Sequence, residues 1–324
     1  MENRYRKQSA FCLWAAVCVL CFPLSNCALT APLSKATADS GFVLVNGANL
    51  WYEIEGRGEP LLLIAGGPGS AHDVFSPHFS ALADANRIIY FDAYGRGKSD
   101  RAKSPRGYAF ARDVEDVEGI RKALNLGKIN VLGHSYGGLV AQAYALRYPE
   151  SVDKLILANT LFSGEMWQAN NDNCNCEIRN QYPEVWERLQ ELRMQGYPSS
   201  AKEHQDVYAQ VPIALFMFYD ASNAGKLVQN FNPDVYYSIV GEDADFLVGG
   251  DVASLDFRTQ LKNLAMPTLI LASRFDRVCL PRFSVQFKQY APQAQFVMFE
   301  TAGHFTFVED PDNMFAIVRS FLGK

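Results

Sequence analysis

Ser135, Asp276 and His304 are three side chains whose types, order and surroundings fit one reaction. A serine hydroxyl attacks poorly until a base takes its proton, and an imidazole base works best when a carboxylate orients it. Ser135 stands in Gly133-His134-Ser135-Tyr136-Gly137, a G-x-S-x-G. The apolar run from Lys128 to Leu132 reads as a buried strand, and Leu139, Val140, Ala143 and Leu146 then recur at helical spacing until Pro149. A strand that turns at once into a helix strains the backbone at the serine and pushes its Oγ out of the sheet. Glycines flank it because side chains there would meet the neighbouring backbone. The helix N-terminus behind it favours negative charge. The plainer reading is a tight Gly/Ser turn; the strand–turn–helix context favours a nucleophile.

Base and acid follow in chain order. His304, one of five histidines, lies in Ala302-Gly303-His304-Phe305, just after the strand-like run Gln295 to Phe299. Asp276 follows the run Thr268 to Ala272, in Ser273-Arg274-Phe275-Asp276, with Asp256 as the fallback acid. A tetrahedral intermediate needs two N–H donors for its oxyanion. Tyr136 supplies one from the residue after the nucleophile. Gly66-Gly67-Pro68-Gly69 offers the other, with Gly67 as the chosen donor. The same glycines lack the G-x-x-x-x-G-K-[ST] pattern of a phosphate cradle. This chemistry needs no metal and no organic cofactor, and none is expected.

The elements that must position these residues alternate. Phe42 to Val45 and Leu50 to Glu55 flank Asn46-Gly47, a hairpin pattern. Strands are expected at Leu61 to Ala65, Arg87 to Phe91, Lys128 to Leu132, Lys154 to Ala158, Thr268 to Ala272 and Gln295 to Phe299. Helical patterns cover about 109 to 124, 139 to 148, 282 to 290 and 311 to 322. Such alternation means a mostly parallel sheet with helices on both faces, whose sites lie at the carboxyl ends of the strands. The alternation breaks between residues 161 and 257, a stretch rich in Trp, Tyr, Asn and Gln with helical spacing at Val185, Leu189 and Leu192. It reads as a helical cap inserted between core segments 41–160 and 258–324.

Composition bounds the function classes. The chain has 324 residues, 48% hydrophobic and 20% charged, with net charge -5, which argues for a globular core and against a general nucleic-acid binder. Arg4, Arg6 and Lys7 precede an apolar stretch from Phe11 to Leu24 and then Ser25-Asn26-Cys27. That is the pattern of an export signal over 1–27, followed by a linker over 28–40. Leu24-Ser25-Asn26-Cys27 is similar to a bacterial lipobox, although Asn26 stands where a small residue is usual. The expectation is an exported protein, periplasmic or tethered to the membrane through Cys27. Cys174, Cys176 and Cys279 are too few for a disulfide framework and read as loop thiols.

The motifs together resemble the α/β-hydrolases, and among them the proline iminopeptidase group of serine aminopeptidases, from about Gly41 to the C-terminus. Gly66-Gly67-Pro68-Gly69 is the most group-specific item. Asp92-x-x-Gly95-x-Gly97-x-Ser99, GHSYGG and the surroundings of Asp276 and His304 are shared more widely. The resemblance implies an α/β-hydrolase fold, a Ser135–Asp276–His304 triad and removal of an N-terminal proline or similar residue from small peptides. Ala65 replaces the group's usual histidine, and Ala93-Tyr94 replaces a Gln-Arg-like pair. Group members hold the substrate's free α-amine with cap carboxylates. The run YYSIVGEDADF is similar to their cap-to-core return and nominates Glu242 and Asp245 for substrate binding, Asp245 being better placed. Asp220 and Glu203 have no motif behind them. Without a clear carboxylate pair the alternative is a carboxylester or lactone hydrolase. The cap aromatics Trp167, Trp186, Phe216, Phe218 and Tyr219 suit a proline-like ring or an apolar acyl group. A non-catalytic hydrolase-fold binding protein is the reading from another class, and it usually lacks a triad member.

Overall fold

The central apolar runs bury side chains from both of their faces, so they form the middle of one sheet. The structure, a computed structural model, describes residues 39–212 and 214–323. The expected signal segment, Cys27 and residues 28–38 of the expected linker lie outside the described residues. The strands are β1 (Asp39–Val45), β2 (Ala48–Gly56), β3 (Glu59–Ile64), β4 (Asn86–Phe91), β5 (Ile129–His134), β6 (Val152–Ala158), β7 (Thr268–Ser273) and β8 (Gln295–Phe299). β1 opens two residues inside the stretch read as linker. Their spatial order is β1-β2-β4-β3-β5-β6-β7-β8. The β1–β2 and β2–β4 pairs are antiparallel, and all later pairs are parallel. Asn46 and Gly47, both at positive φ, make the β1–β2 turn.

Alternate residues of the central strands feed two cores. Leu62 and Ile64 of β3, Val131 of β5 and Leu155 and Leu157 of β6 pack on one face against α1 (Phe110–Ala123) and α2 (Tyr136–Arg147). Leu61, Leu63, Leu132 and Ile156 enter the other face. Burying one such side chain fully is worth roughly 1.5–3 kcal/mol, so the sheet is the stiff part on which the site is built.

Between β6 and β7 run α3 (Gly164–Gln181), α4 (Pro183–Met194), α5 (Lys202–Tyr208), α6 (Ala214–Met217) and α7 (Pro233–Val240). Leu189 and Leu192 are the buried positions of α4. The two ends of this insertion lie side by side: Ser163 bridges Asp256, and Phe257 N–H donates to the Phe162 carbonyl at 2.9 Å. Both chain ends therefore enter at the sheet's carboxyl edge, over the glycine-rich loops.

After β7 the single expected helix over 282 to 290 is two short pieces, α8 (Pro281–Ser284) and α9 (Phe287–Tyr290). Gln286, Lys288 and Gln289 donate to carbonyls three residues back, and Ser284 Oγ bonds back to the Cys279 and Leu280 carbonyls. Local serine bonding of this kind competes with a regular helix. α10 (Thr306–Glu309) and α11 (Pro311–Leu322) close the chain, and Met314, Phe315, Val318 and Leu322 of α11 face the second core. No described helix is long and apolar enough to cross a membrane.

Candidate active site

Ser135 is the junction of β5 and α2, at φ 56° and ψ -126°. A non-glycine residue there costs on the order of 1–3 kcal/mol and needs outside support. Ser135 N–H donates to the Ala158 carbonyl of β6 at 3.0 Å, and its carbonyl accepts from Gly138 N–H and from Thr160 Oγ1 at 2.6 Å. The flanking glycines are required by contact. A Cβ on Gly133 would strike the Gly137 carbonyl, and one on Gly137 the Ile64 carbonyl. A Cβ on Gly66 would lie 2.7 Å from Ser135 Cβ. Ser135 Oγ makes no helix-capping bond, so the hydroxyl is not spent on its own helix. Among the described residues neither the Gly67 nor the Tyr136 backbone N–H donates to another group.

The imidazole and carboxylate come from the loops after β8 and β7. His304 Nδ1 and Asp276 Oδ2 are 3.0 Å apart, with both side chains buried. Asp276 is held as an acceptor. Its Oδ1 takes the N–H groups of Val278 and Cys279 at 2.9 and 2.6 Å, and its Oδ2 also takes Asn159 Nδ2 at 3.1 Å. Asn159, just past β6 at φ 45°, reaches Ser273 Oγ and the Gly303 carbonyl as well. A proton on Nδ1 toward Asp276 leaves Nε2 as the basic atom of His304. His134 lies beside it with ring centroids 4.7 Å apart and planes tilted by 53°, and it donates Nε2–H to the His304 carbonyl. Burial, then the neighbouring His304 charge, hold His134 down to about 3, so it stays neutral.

Ser135 and His304 open into one cavity of about 290 Å³. Cap aromatics Trp167, Phe216, Phe231 and Tyr236 form much of its wall, and no lysine or arginine lines it among the described residues. Among the described residues one carboxylate does: Asp245. Burial pushes this carboxyl up to about 7, with the neighbouring Asp243 adding to the rise. Three amides of one α3 face hold its loop. Gln168 donates to the Phe246 carbonyl, Asn171 to that of Ala244 and Asn175 to that of Asp245, the last two at 2.7 Å. His204 is fully buried nearby, its Nδ1 3.9 Å from Asp245 Oδ2 and both ring nitrogens without hydrogen-bond partners.

The structure separates the two nominated cap acids. Glu242 lies at the surface in an ion pair with Arg106 and does not line the cavity. The structure therefore does not bring Glu242 together with Asp245 and Ser135. Gly241, at φ 102°, turns the chain after α7 and leaves Glu242 outside while Asp245 comes in. Glu203 and Asp220 are not in the wall either, and the fallback acid Asp256 is paired with Arg258. Of the cap aromatics, Trp167 and Phe216 reach the cavity; Trp186, Phe218 and Tyr219 pack on Phe246, Phe305 and Phe275. Cys174 and Cys176 lie on α3 rather than in a loop, and all three body cysteines are free. Burial pushes the Cys174 thiol up to about 12 and Cys279 well above its usual value, so neither competes as a nucleophile at neutral pH.

A strained serine between β5 and α2, with an aspartate after β7 paired to a histidine after β8, marks the α/β-hydrolase class of folds. The chain belongs to the alpha/beta hydrolase fold family, whose model matches residues 59–311. It is similar to the proline iminopeptidase of Heyndrickxia coagulans, at 27% identity over 293 residues that span 88% of this chain and 98% of that one. The proline iminopeptidase of Saccharolobus solfataricus is 26% identical over 294 residues, 88% and 93% of the two chains. In fold, the crystal structure of the proline iminopeptidase of Mycobacterium smegmatis superposes with a TM-score of 0.70 at 21% identity, covering 88% of this chain and 98% of that one.

Proposed function

We propose that this chain is a serine hydrolase with the triad Ser135–His304–Asp276, and that it removes N-terminal proline or a similar residue from small peptides. One observation carries the aminopeptidase reading: Asp245, without a cationic partner in the cavity wall, faces the same space as Ser135 and His304. A buried carboxylate is costly unless something positive meets it. A substrate's free ammonium group supplies that charge, and the relatives named as proline iminopeptidases support the same reading.

His304 Nε2 takes the Ser135 proton as Oγ attacks the carbonyl carbon. The Gly67 and Tyr136 N–H groups receive the oxyanion, and Asp276 holds the imidazolium that forms. His304 then protonates the leaving amine. It next takes a proton from water, which attacks the acyl-enzyme carbonyl, and it hands that proton to Ser135 Oγ as the acyl C–O bond breaks, which restores the free serine and neutral histidine. Removing one oxyanion donor typically costs about 10²–10³ in rate, so these two N–H groups carry a large share of the acceleration.

A carboxylester or lactone hydrolase is the second reading, favoured by the exclusion of Glu242. That leaves one carboxylate in a wall that is otherwise mostly apolar. The deciding experiment compares proline β-naphthylamide, its N-blocked form and a short-chain p-nitrophenyl ester, with Ser135→Ala as the control. The proposal expects cleavage of the free-amine amide, little of the blocked one, and loss of both with Ser135→Ala. Ester turnover without amide turnover overturns the aminopeptidase reading. No labelling of Ser135 by a fluorophosphonate overturns the hydrolase reading and leaves a binding protein.

A further inference from the structure

Arg96 and Asp113 form a buried ion pair to which the mechanism above assigns no part. Their side chains are 3% and 4% exposed, and they meet as a fork: Nη1 to Oδ1 at 2.6 Å and Nη2 to Oδ2 at 2.5 Å. The pair has two further bonds that give it a direction. Arg96 Nε–H donates to the Pro68 carbonyl at 2.8 Å, and Tyr136 O–H donates to Asp113 Oδ2 at 2.6 Å. Arg96 also caps the Tyr94 carbonyl, which fixes its own loop.

Pro68 directly follows Gly67, and Tyr136 directly follows Ser135. The chain Pro68–Arg96–Asp113–Tyr136 therefore joins the two segments that carry the proposed oxyanion donors. It does so by groups other than the donors themselves. We propose that the Arg96–Asp113 pair is a positioning element that sets the separation of the Gly67 and Tyr136 N–H groups across the oxyanion site. The inference rests on the serine-hydrolase reading of Ser135.

Energetics favour this role over a purely stabilising one. Replacing a buried ion pair by apolar side chains of similar volume is often neutral for stability or better. The fork does supply fixed lengths and angles, because a guanidinium and a carboxylate meet in a plane. A lysine would keep the charge and lose the fork. The sequence is consistent with this: in Asp92-Ala93-Tyr94-Gly95-Arg96-Gly97 the arginine lies between two glycines at positive φ, which turn its backbone inward.

The test uses the full chain with Tyr136→Phe, Arg96→Lys and the double variant Arg96→Met/Asp113→Leu. Active-site titration with a fluorophosphonate counts competent enzyme. The readouts are kcat and KM on a p-nitrophenyl ester, the Ki of a trifluoromethyl ketone that forms an oxyanion on Ser135, and Tm. Misplacement of reacting groups by about 1 Å costs on the order of 100-fold. The expectation is a kcat loss of about 3- to 10-fold for Tyr136→Phe and about 10- to 100-fold for Arg96→Lys, with KM within about twofold. The ketone Ki should rise in proportion to the kcat loss. The double variant should lose kcat even where its Tm matches wild type. Wild-type kcat and Ki per titrated site in these variants overturn the inference, whatever happens to Tm. Should Arg96→Lys fail to fold, Tyr136→Phe, which removes one hydroxyl, decides the matter. A wild type that takes no fluorophosphonate label overturns the underlying serine-hydrolase reading and this inference with it. An active wild type with unaffected variants overturns this inference alone.

Discussion

Asp276→Asn tests the acid–base half of the site, and its effect can be worked out atom by atom. Asp276 accepts four hydrogen bonds: two backbone N–H groups on Oδ1, and His304 Nδ1 with Asn159 Nδ2 on Oδ2. An asparagine keeps one acceptor. The two short backbone bonds hold its oxygen at the Oδ1 position, which puts the new NH₂ where Oδ2 was. That group now faces two donors, Asn159 Nδ2 and the Nδ1–H of His304. Relief comes from moving the His304 proton to Nε2, so that Nδ1 accepts. The atom that must take the Ser135 proton is then already protonated. A tautomer error of this kind in a serine–histidine–aspartate site costs about 10⁴ in kcat. At 1.36 kcal/mol per tenfold this is about 5.4 kcal/mol of barrier. Asn159 Nδ2 keeps Ser273 Oγ and the Gly303 carbonyl, but the second N–H of the new amide is left buried without an acceptor, which costs about 1–3 kcal/mol of stability. The assay is kcat on the p-nitrophenyl ester per folded molecule, with Tm measured alongside. A kcat within tenfold of wild type, in a protein whose Tm has fallen as expected, would refute the assignment of Asp276 as the orienting carboxylate.

Three further outcomes are expected. Asp245→Asn should raise KM for proline β-naphthylamide by about 10- to 100-fold, the size of a lost charged hydrogen bond, and leave ester KM within about twofold. Glu242→Gln should change neither, and equal effects of the two substitutions on KM would sink the distinction between them. The pH dependence of stability follows from Asp245, whose carboxyl is raised by burial from 3.8 to about 7 in the folded chain. Between those values the folded state binds more protons than the unfolded state, so this group's contribution to stability falls as pH rises through that window. Asp245→Asn should therefore flatten the Tm profile between about pH 4 and 7 and raise Tm at pH 8; an unchanged profile counts against a carboxyl raised by burial. Gly66→Ala should slow fluorophosphonate labelling of Ser135 by about 100-fold or more, because the new methyl carbon would lie 2.7 Å from Ser135 Cβ; labelling at the wild-type rate would contradict the elbow geometry.

What the sequence reveals and what it hides follows from the range of each signal. The β5–Ser135–α2 junction is legible because strand, turn and helix are contiguous in the chain. Asp276 and His304 are legible because each closely follows a buried apolar run, where such sheets place their sites. Asn159 escapes, although it too follows a strand, because a single asparagine carries no pattern; position after the run Lys154 to Ala158 was the one available signal. The Arg96–Asp113 pair escapes because its partners are 17 residues apart on a loop and a helix, with no periodicity joining them. Glu242 and Asp245 are three residues apart in one acidic run, and only the turn at Gly241 and the ion pair with Arg106 decide which faces inward. The broken helix after β7 depends on where Ser284 sends its hydroxyl, which apolar spacing does not record.

The cap is more than a cover on this site. His304 N–H donates to the Met217 carbonyl at 2.7 Å, so the imidazole loop hangs from the end of α6. Glu309 binds Gly303 N–H at 2.6 Å on one oxygen and cap residue Asp220 N–H at 2.9 Å on the other. On the opposite side the glycine-rich loop pairs with the segment before α7: Asn232 N–H donates to the Gly69 carbonyl and Ala71 N–H to that of Asn230. The His304 loop and the glycine-rich loop are thus each braced by backbone that also carries cavity residues, Phe216 and Met217 on one side and Gln229 and Phe231 on the other. On the proposed hydrolase reading, a substrate touching those segments would act on His304 and the glycine-rich loop through these hydrogen bonds. That reading predicts that cap substitutions on these two segments appear in kcat as well as in KM, and a change in KM alone would count against it.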